Sequence, residues 1–221
     1  MTQRVKQPEL MKAGFREMMK GVCTSIPGHI IAFDPATQLA QVQIGVERVD
    51  IDGATYTVPP IIETPVYMPG GDWCLEYEIK NGTEGAIMFS QRCIDGWVNE
   101  GGVAANPIGR FHDMQDAMFF PGFRSNPNAL ASFQNNGIRI RNKSGTQYAW
   151  LKNDGSIAVE NGAGHIRIGA DGTVTINGVT ISPTGLISNA EDVVTKTDIS
   201  LNNHRTSGVT AGNQTSGPPI V

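Results

Sequence analysis

His112, Asp113 and Asp116 stand close enough in sequence to suggest a metal or acid–base cluster, and Cys93 with His112 or His165 has the residue types of a nucleophile and its base. Neither pattern carries through. Asp113 follows His112 directly and points the other way on an extended chain, so the work expected of these three residues is turn capping and hydrogen bonding within a connector. The cysteine pairing lacks an orienting third residue and a Gly-rich elbow. Cys23, Cys74 and Cys93 are odd in number and contain no Cys-x-x-Cys pair, which fits reduced core thiols rather than a zinc knuckle or a disulfide framework. The glycines of GTEG and GADG suit hairpin turns, with no Walker loop or dinucleotide fingerprint. Asp171-Gly172-Thr173 and Asn177-Gly178 lack the carboxylate density of a calcium loop. The expectation is a protein that is not an enzyme.

Charge and composition narrow the partners. The 221 residues carry a net charge of -4, and Lys and Arg are scattered rather than clustered, so nucleic acid is not an expected partner. No stretch has the length and apolarity of a membrane-crossing helix, and no apolar run of signal-peptide length follows the basic N-terminus, so the chain is expected to be made in the cytoplasm. With 26 Gly and 13 Pro and only 17% charged residues, short strands broken by turns are expected in place of long solvated helices.

Five segments follow from that pattern. Residues 1–24 form an arm in which Leu10, Met11, Phe15, Met18 and Met19 recur at helical spacing. The stripe of this helix docks on its own domain or on another subunit. Residues 25–102 read as five short strands, His29 to Phe33, Leu39 to Val49, Tyr56 to Ile62, Trp73 to Ile79 and Gly85 to Phe89, separated by turn dipeptides. Five strands in so short a span suit an OB-fold-like barrel, with an open sandwich as the competing architecture. Residues 103–136 lose periodicity and read as a connector holding the apolar island Met118, Phe119, Phe120 and Phe123.

Residues 137–200 are repetitive. Apolar-x-apolar triplets recur as Ile138/Ile140, Ala149/Leu151, Ile157/Val159, Ile166/Ile168, Val174/Ile176 and Val179/Ile181, with turn dipeptides such as Asp154-Gly155 between them. About two apolar residues per strand cannot build a core within one chain. The expected solution is three chains wound about a common axis as an intertwined triple-stranded β-helix, with a single-chain solenoid as the alternative. Residues 201–221 are small and turn-forming, either disordered or the tightly folded end of a needle. The fold class expected is therefore mainly β: a short helix, a five-stranded barrel and a trimeric β-helix.

Three motifs carry a family resemblance. They are VPPIIETPVYMPGG followed by EIKNGTEGAIMFSQRCIDGW, with Arg92, Ile94, Asp95 and Trp97 at its end; HDMQDAMFFPGF, residues 112–123; and the C-terminal LNNHRTSGVTAGNQTSGPP. Together they resemble the central spike, or membrane-piercing needle, of contractile phage tails, the baseplate assembly protein V-like family. The resemblance implies a virion protein, a homotrimer whose blunt barrel end meets a baseplate hub protein and whose tip pierces the host outer membrane when the sheath contracts. It also implies a tip metal, since the family's His-x-His from three chains holds one iron. Here the positions are His204 and Thr206, so three His204 imidazoles would be left to hold iron or zinc, and Thr is the poorer ligand. A trimeric receptor-binding fibre or adhesin is the alternative, set against it by a chain end of small polar residues instead of exposed aromatics. A hydrolase spike would need an inserted catalytic domain, for which the chain leaves no room.

Overall fold

The computed structural model describes residues 7–105, 108–189, 191–194, 200–202 and 212. The chain divides into two compact units, residues 1–129 and 130–221. It is mainly β, and among the described residues no helix is long and apolar enough to cross a membrane.

The first unit opens with α1 (Gln7–Lys20), followed by β1 (Ser25–Asp34), β2 (Leu39–Ile44), β3 (Arg48–Val49), β4 (Thr55–Tyr56), β5 (Ile61–Pro65), β6 (Glu84–Phe89), α2 (Asp95–Glu100) and β7 (Ala117–Pro121). Five strands form one antiparallel sheet in the order β5-β2-β1-β6-β7, and β3 and β4 make a separate hairpin. The sheet curls into a half-barrel. Its two edge strands approach until Val66 forms a parallel bridge with Phe119 and the Tyr67 N–H donates to the Phe119 carbonyl at 2.8 Å. The alternation of β2, in which Ala40, Val42 and Ile44 are buried while Gln41 is exposed, supplies one wall of the core. Ile30, Ile61, Val66, Ile87 and Phe119 complete it.

Three expected strands are corrected by these pairings. Trp73 to Ile79 alternates well yet joins no ladder, because its backbone bonds are local: Leu75 N–H donates to Pro69 O and Gly71 N–H to Trp73 O. Trp73 is left 92% exposed. The fifth strand is β7, inside the expected connector, where the Phe119 ring fills the centre of the curled sheet. The stretch from Leu39 ends as a strand at Ile44, and Tyr56 to Ile62 splits between β4 and β5.

Close packing of β6 against its neighbours depends on Gly85, which pairs with both Gly28 and Pro121. A Cβ at this position would collide with the Phe120 carbonyl oxygen and the Phe119 ring. Gly85→Ala is therefore expected to destabilise the unit by about 1–3 kcal/mol, the usual cost of overpacking a filled core. An unchanged thermal midpoint would show that the sheet yields there.

The second unit is a seven-stranded meander: β8 (Gly137–Arg141), β9 (Tyr148–Lys152), β10 (Ile157–Glu160), β11 (His165–Ile168), β12 (Val174–Ile176), β13 (Val179–Ile181) and β14 (Ile187–Asn189). Among the described residues each strand pairs antiparallel with its chain neighbours and with no other strand. Every one of the six apolar triplets lies in a strand. The turns between them are built as their composition requires. Gly155 and Gly172 both take φ of 86°, a conformation open to glycine, and the preceding Asp154 and Asp171 carboxylates accept the N–H groups of Ser156 and Thr173 at 2.8 and 2.9 Å. Those bonds hold both carboxyls below their ordinary pKa, from the Ser156 hydroxyl first at Asp154 and from the Thr173 N–H first at Asp171. Among the described residues of this unit only Ala158 is buried.

Candidate functional site

Two arrangements stand out, one in each unit. In the first, the residues of two sequence motifs converge on Arg110. The Arg110 guanidinium grips Asp116 through two contacts, Nη2 to Oδ1 at 2.8 Å and Nε to Oδ2 at 3.1 Å, and reaches Asp95 Oδ1 at 2.7 Å. Its Nη2 also lies 3.2 Å from Cys93 Sγ. Asp116 is fully buried at the start of β7, Asp95 opens α2, and the Ile94 N–H donates to Asp116 Oδ1 at 3.1 Å. Burial pushes the Asp116 carboxyl up, but the hydrogen bonds from Arg110 and from the Ile94 N–H outweigh it and hold the carboxyl below its ordinary pKa. Arg110 is held above its own ordinary value, chiefly by the hydrogen bond to Asp116. Both ions are satisfied, as a buried pair must be.

This knot joins the Arg92-to-Trp97 motif to the His112-to-Phe123 motif. The Arg92 guanidinium sits 4.0 Å over the Phe111 ring, and the Ser90 N–H donates to the Asp116 carbonyl at 2.7 Å. His112 adopts a positive φ of 49° and clamps the start of the chain: its Nδ1 lies 3.1 Å from Cys23 O, while Cys23 N–H donates to His112 O at 3.2 Å. Asp113 Oδ1 accepts the Gln115 N–H at 2.9 Å, an Asx turn. Asp113 does the turn work expected of it, whereas His112 bonds outside the connector to Cys23 and Asp116 is the buried partner of Arg110. Cys93 and His112 are engaged with different partners, and His165 lies on β11 of the other unit.

Ligand atoms of Cys93, Asp95 and Asp116 lie within 4.8 Å of one another, a spacing that a metal could bridge. The guanidinium donates to all three and cancels one of the two carboxylate charges, so the donor atoms a cation would bind are already engaged by Arg110. Sequence reasoning passed over Arg110, since its partners stand 6 and 15 residues away with no local pattern to join them.

The second arrangement is a surface. Register places Ile138, Leu151, Ile157, Ile168, Val174, Ile181 and Ile187 side by side in one row across the meander. Ile140, Ala149, Val159, Ile166, Ile176 and Val179 form a second row on the same face. At the usual strand spacing of about 4.8 Å the first row spans about 29 Å. These aliphatic side chains are exposed or half-buried, Ile138 at 72% and Ile166 at 48%. The opposite face carries Arg139, Trp150, Arg167, Thr175, Thr180 and Ser188. There Arg139 lies 3.9 Å over Tyr148 and 5.0 Å over Trp150, and Lys152 lies 4.7 Å over Trp150. That face also holds the buried Ala158, so it mixes cations, aromatics and hydroxyls, whereas the first face is aliphatic throughout. Exposed apolar patches of this extent mark interaction surfaces.

His204 and Thr206, the expected metal position, lie outside the described residues, as does most of the expected tip.

Residues 26–122 are similar to a domain of phage proteins. The matching family model is described as the phage protein Gp138 N-terminal domain, and the matched stretch runs from the second residue of β1 to the residue after β7, taking in the whole curled sheet and the Arg110 knot. The match supports a structural phage protein and a virion component. None of the curated proteins compared with the chain matches it.

Proposed function

We propose that this chain is the central spike of a contractile phage tail baseplate: a homotrimer that punctures the host outer envelope when the sheath contracts. The role is mechanical rather than enzymatic. The observation that carries the reading is the double aliphatic row of the meander, which has no cover among the described residues of its own unit. Burying a Val, Leu or Ile side chain is worth about 1.5–3 kcal/mol, and two rows of them supply a large drive for association. Three copies facing a common axis bury both rows and leave Arg139, Lys152 and Arg167 in water. The curled sheet, similar to a phage protein domain, then forms the blunt end toward the baseplate hub.

Sedimentation of the full chain tests the assembly. A stable trimer that persists at micromolar concentration is the expected result, and a monomer at that concentration overturns the proposal. Electron micrographs of particles labelled at the chain test the placement: label at the tail tip beneath the baseplate supports the spike, and label on peripheral fibres supports a receptor-binding role instead.

A further inference from the structure

The helix α1 has no buried residue, and the five apolar side chains of its stripe, Leu10, Met11, Phe15, Met18 and Met19, are all exposed. Lys20 is paired with Glu17 at 2.7 Å, whereas Lys12 and Arg16 make no ion pair among the described residues. The same unit contains a groove of about 620 Å³, walled by Pro59, Pro60 and Ile62 on one side and by Ile94, Val98 and Met114 on the other. Its rim is acidic. Glu63 makes no ion pair among the described residues, and Asp95 shares its charge with Arg110. Ile62 and Glu63 stand opposite a single residue of β2, Gln41, and this bulge, with Glu63 at a φ of 53°, leaves Ile62 61% exposed.

Among the described residues, helix and groove are therefore two unpartnered surfaces with matching chemistry: an apolar stripe accompanied by the unpaired cations Lys12 and Arg16, and an apolar cleft whose one unpaired charge is the Glu63 carboxylate. An amphipathic helix laid into such a groove is a recurrent mode of association. The link between α1 and β1 decides whose groove it is. Gly21 and Val22 N–H groups donate to Met18 and Met19 carbonyls, Cys23 N–H donates to His112 O, and Phe89 N–H donates to Thr24 O. Every residue from Gly21 to Thr24 is tied to the helix, to the loop at His112 or to β6, so the link has no slack to fold α1 back onto its own unit. We infer that α1 of each copy seats its stripe in the Pro59–Val98 groove of a second copy of this chain. This rests on the homotrimer proposed above, which raises the effective concentration of neighbouring grooves.

The test uses two differently tagged full-length chains produced together, both carrying Cys74→Ser to remove an exposed thiol. One also carries Phe15→Cys and the other Ile62→Cys. After mild oxidation, a disulfide-linked species bearing both tags is expected. Its yield should fall at least fivefold when Lys12→Glu and Arg16→Glu are added to the first chain, and recover when Glu63→Lys is added to the second. Sedimentation of the same samples separates the two ideas. An oligomer that yields no mixed-tag disulfide, or one that links Phe15→Cys chains to each other, overturns the helix exchange and leaves the spike standing. A monomer overturns both.

Discussion

Ile166→Asp is expected to abolish the oligomer. Ile166 sits near the middle of the meander, paired with Val159 on β10 and Ile176 on β12, in the second of the two aliphatic rows. In the isolated chain it is 48% exposed, so a carboxylate there is hydrated and the unit folds. Around a common axis the same substitution puts three carboxylates into one dry space, at an effective cost of several kcal/mol per ion. Thr175→Asp is the control. Thr175 lies on the opposite face, beside Arg167 and Thr180, where an added carboxylate meets water and a guanidinium. The expected pattern in sedimentation is a monomer for Ile166→Asp and a native oligomer for Thr175→Asp. An oligomer that survives Ile166→Asp would show that the aliphatic face is not the interface.

The second large effect belongs to the knot. Arg110→Met removes the partner of a fully buried carboxylate while keeping much of the side-chain bulk, and breaking a buried pair in this way costs about 3–5 kcal/mol. Its pH dependence has a definite sign. In the native protein the Asp116 pKa is lowered, so its contribution is present above the unfolded carboxyl value of about 3.9 and is lost as pH falls through the folded value. In the variant the guanidinium is gone and burial raises the pKa instead. The folded state of the variant then binds the proton more readily than the unfolded chain, so acidification from neutral pH narrows the gap between the two proteins. Denaturant unfolding of the full chain at several pH values measures this. A loss below about 1 kcal/mol at neutral pH, or a gap that does not change with pH, would show that Arg110 merely lies near Asp116.

The strands of the second unit were the most legible part of the molecule, although their arrangement within one chain is an antiparallel meander and the expected intertwined β-helix is not shown. Each strand joins a two-residue aliphatic rhythm to a turn dipeptide that needs glycine or an Asx side chain, and both signals are local. The half-barrel was legible in part. Trp73, Leu75, Tyr77 and Ile79 alternate as a strand should, but alternation says only that a segment can be two-faced, and here the Leu75 N–H turns back to Pro69 while the Trp73 carbonyl accepts from Gly71. The true fifth strand reads Ala117-Met118-Phe119-Phe120-Pro121, a continuous apolar run without alternation. Such runs suit strands buried on both faces, and the signal was its length of five between Asp116 and the Pro121-Gly122 turn. The Arg110 knot was hidden for a different reason. Asp116 was weighed as a residue with local work, and nothing near it in sequence announces that its main partner would come from the Gly-rich stretch before His112 and that the Ile94 N–H would donate to it from a different motif.

The strictly sequential pairing of β8 to β14 also makes the unit adjustable in length. Among the described residues the ladder partners of each strand are its chain neighbours, so a hairpin can be inserted or deleted at a turn without changing the register of the strands that remain. Each hairpin alters the span of the sheet by about 9.6 Å, two strand spacings, and preserves which side chains share a face because the alternation restarts at every turn. A device of this kind works as a ruler whose graduations are genetic, and its reach can change by whole steps while the parts at its ends stay as they are.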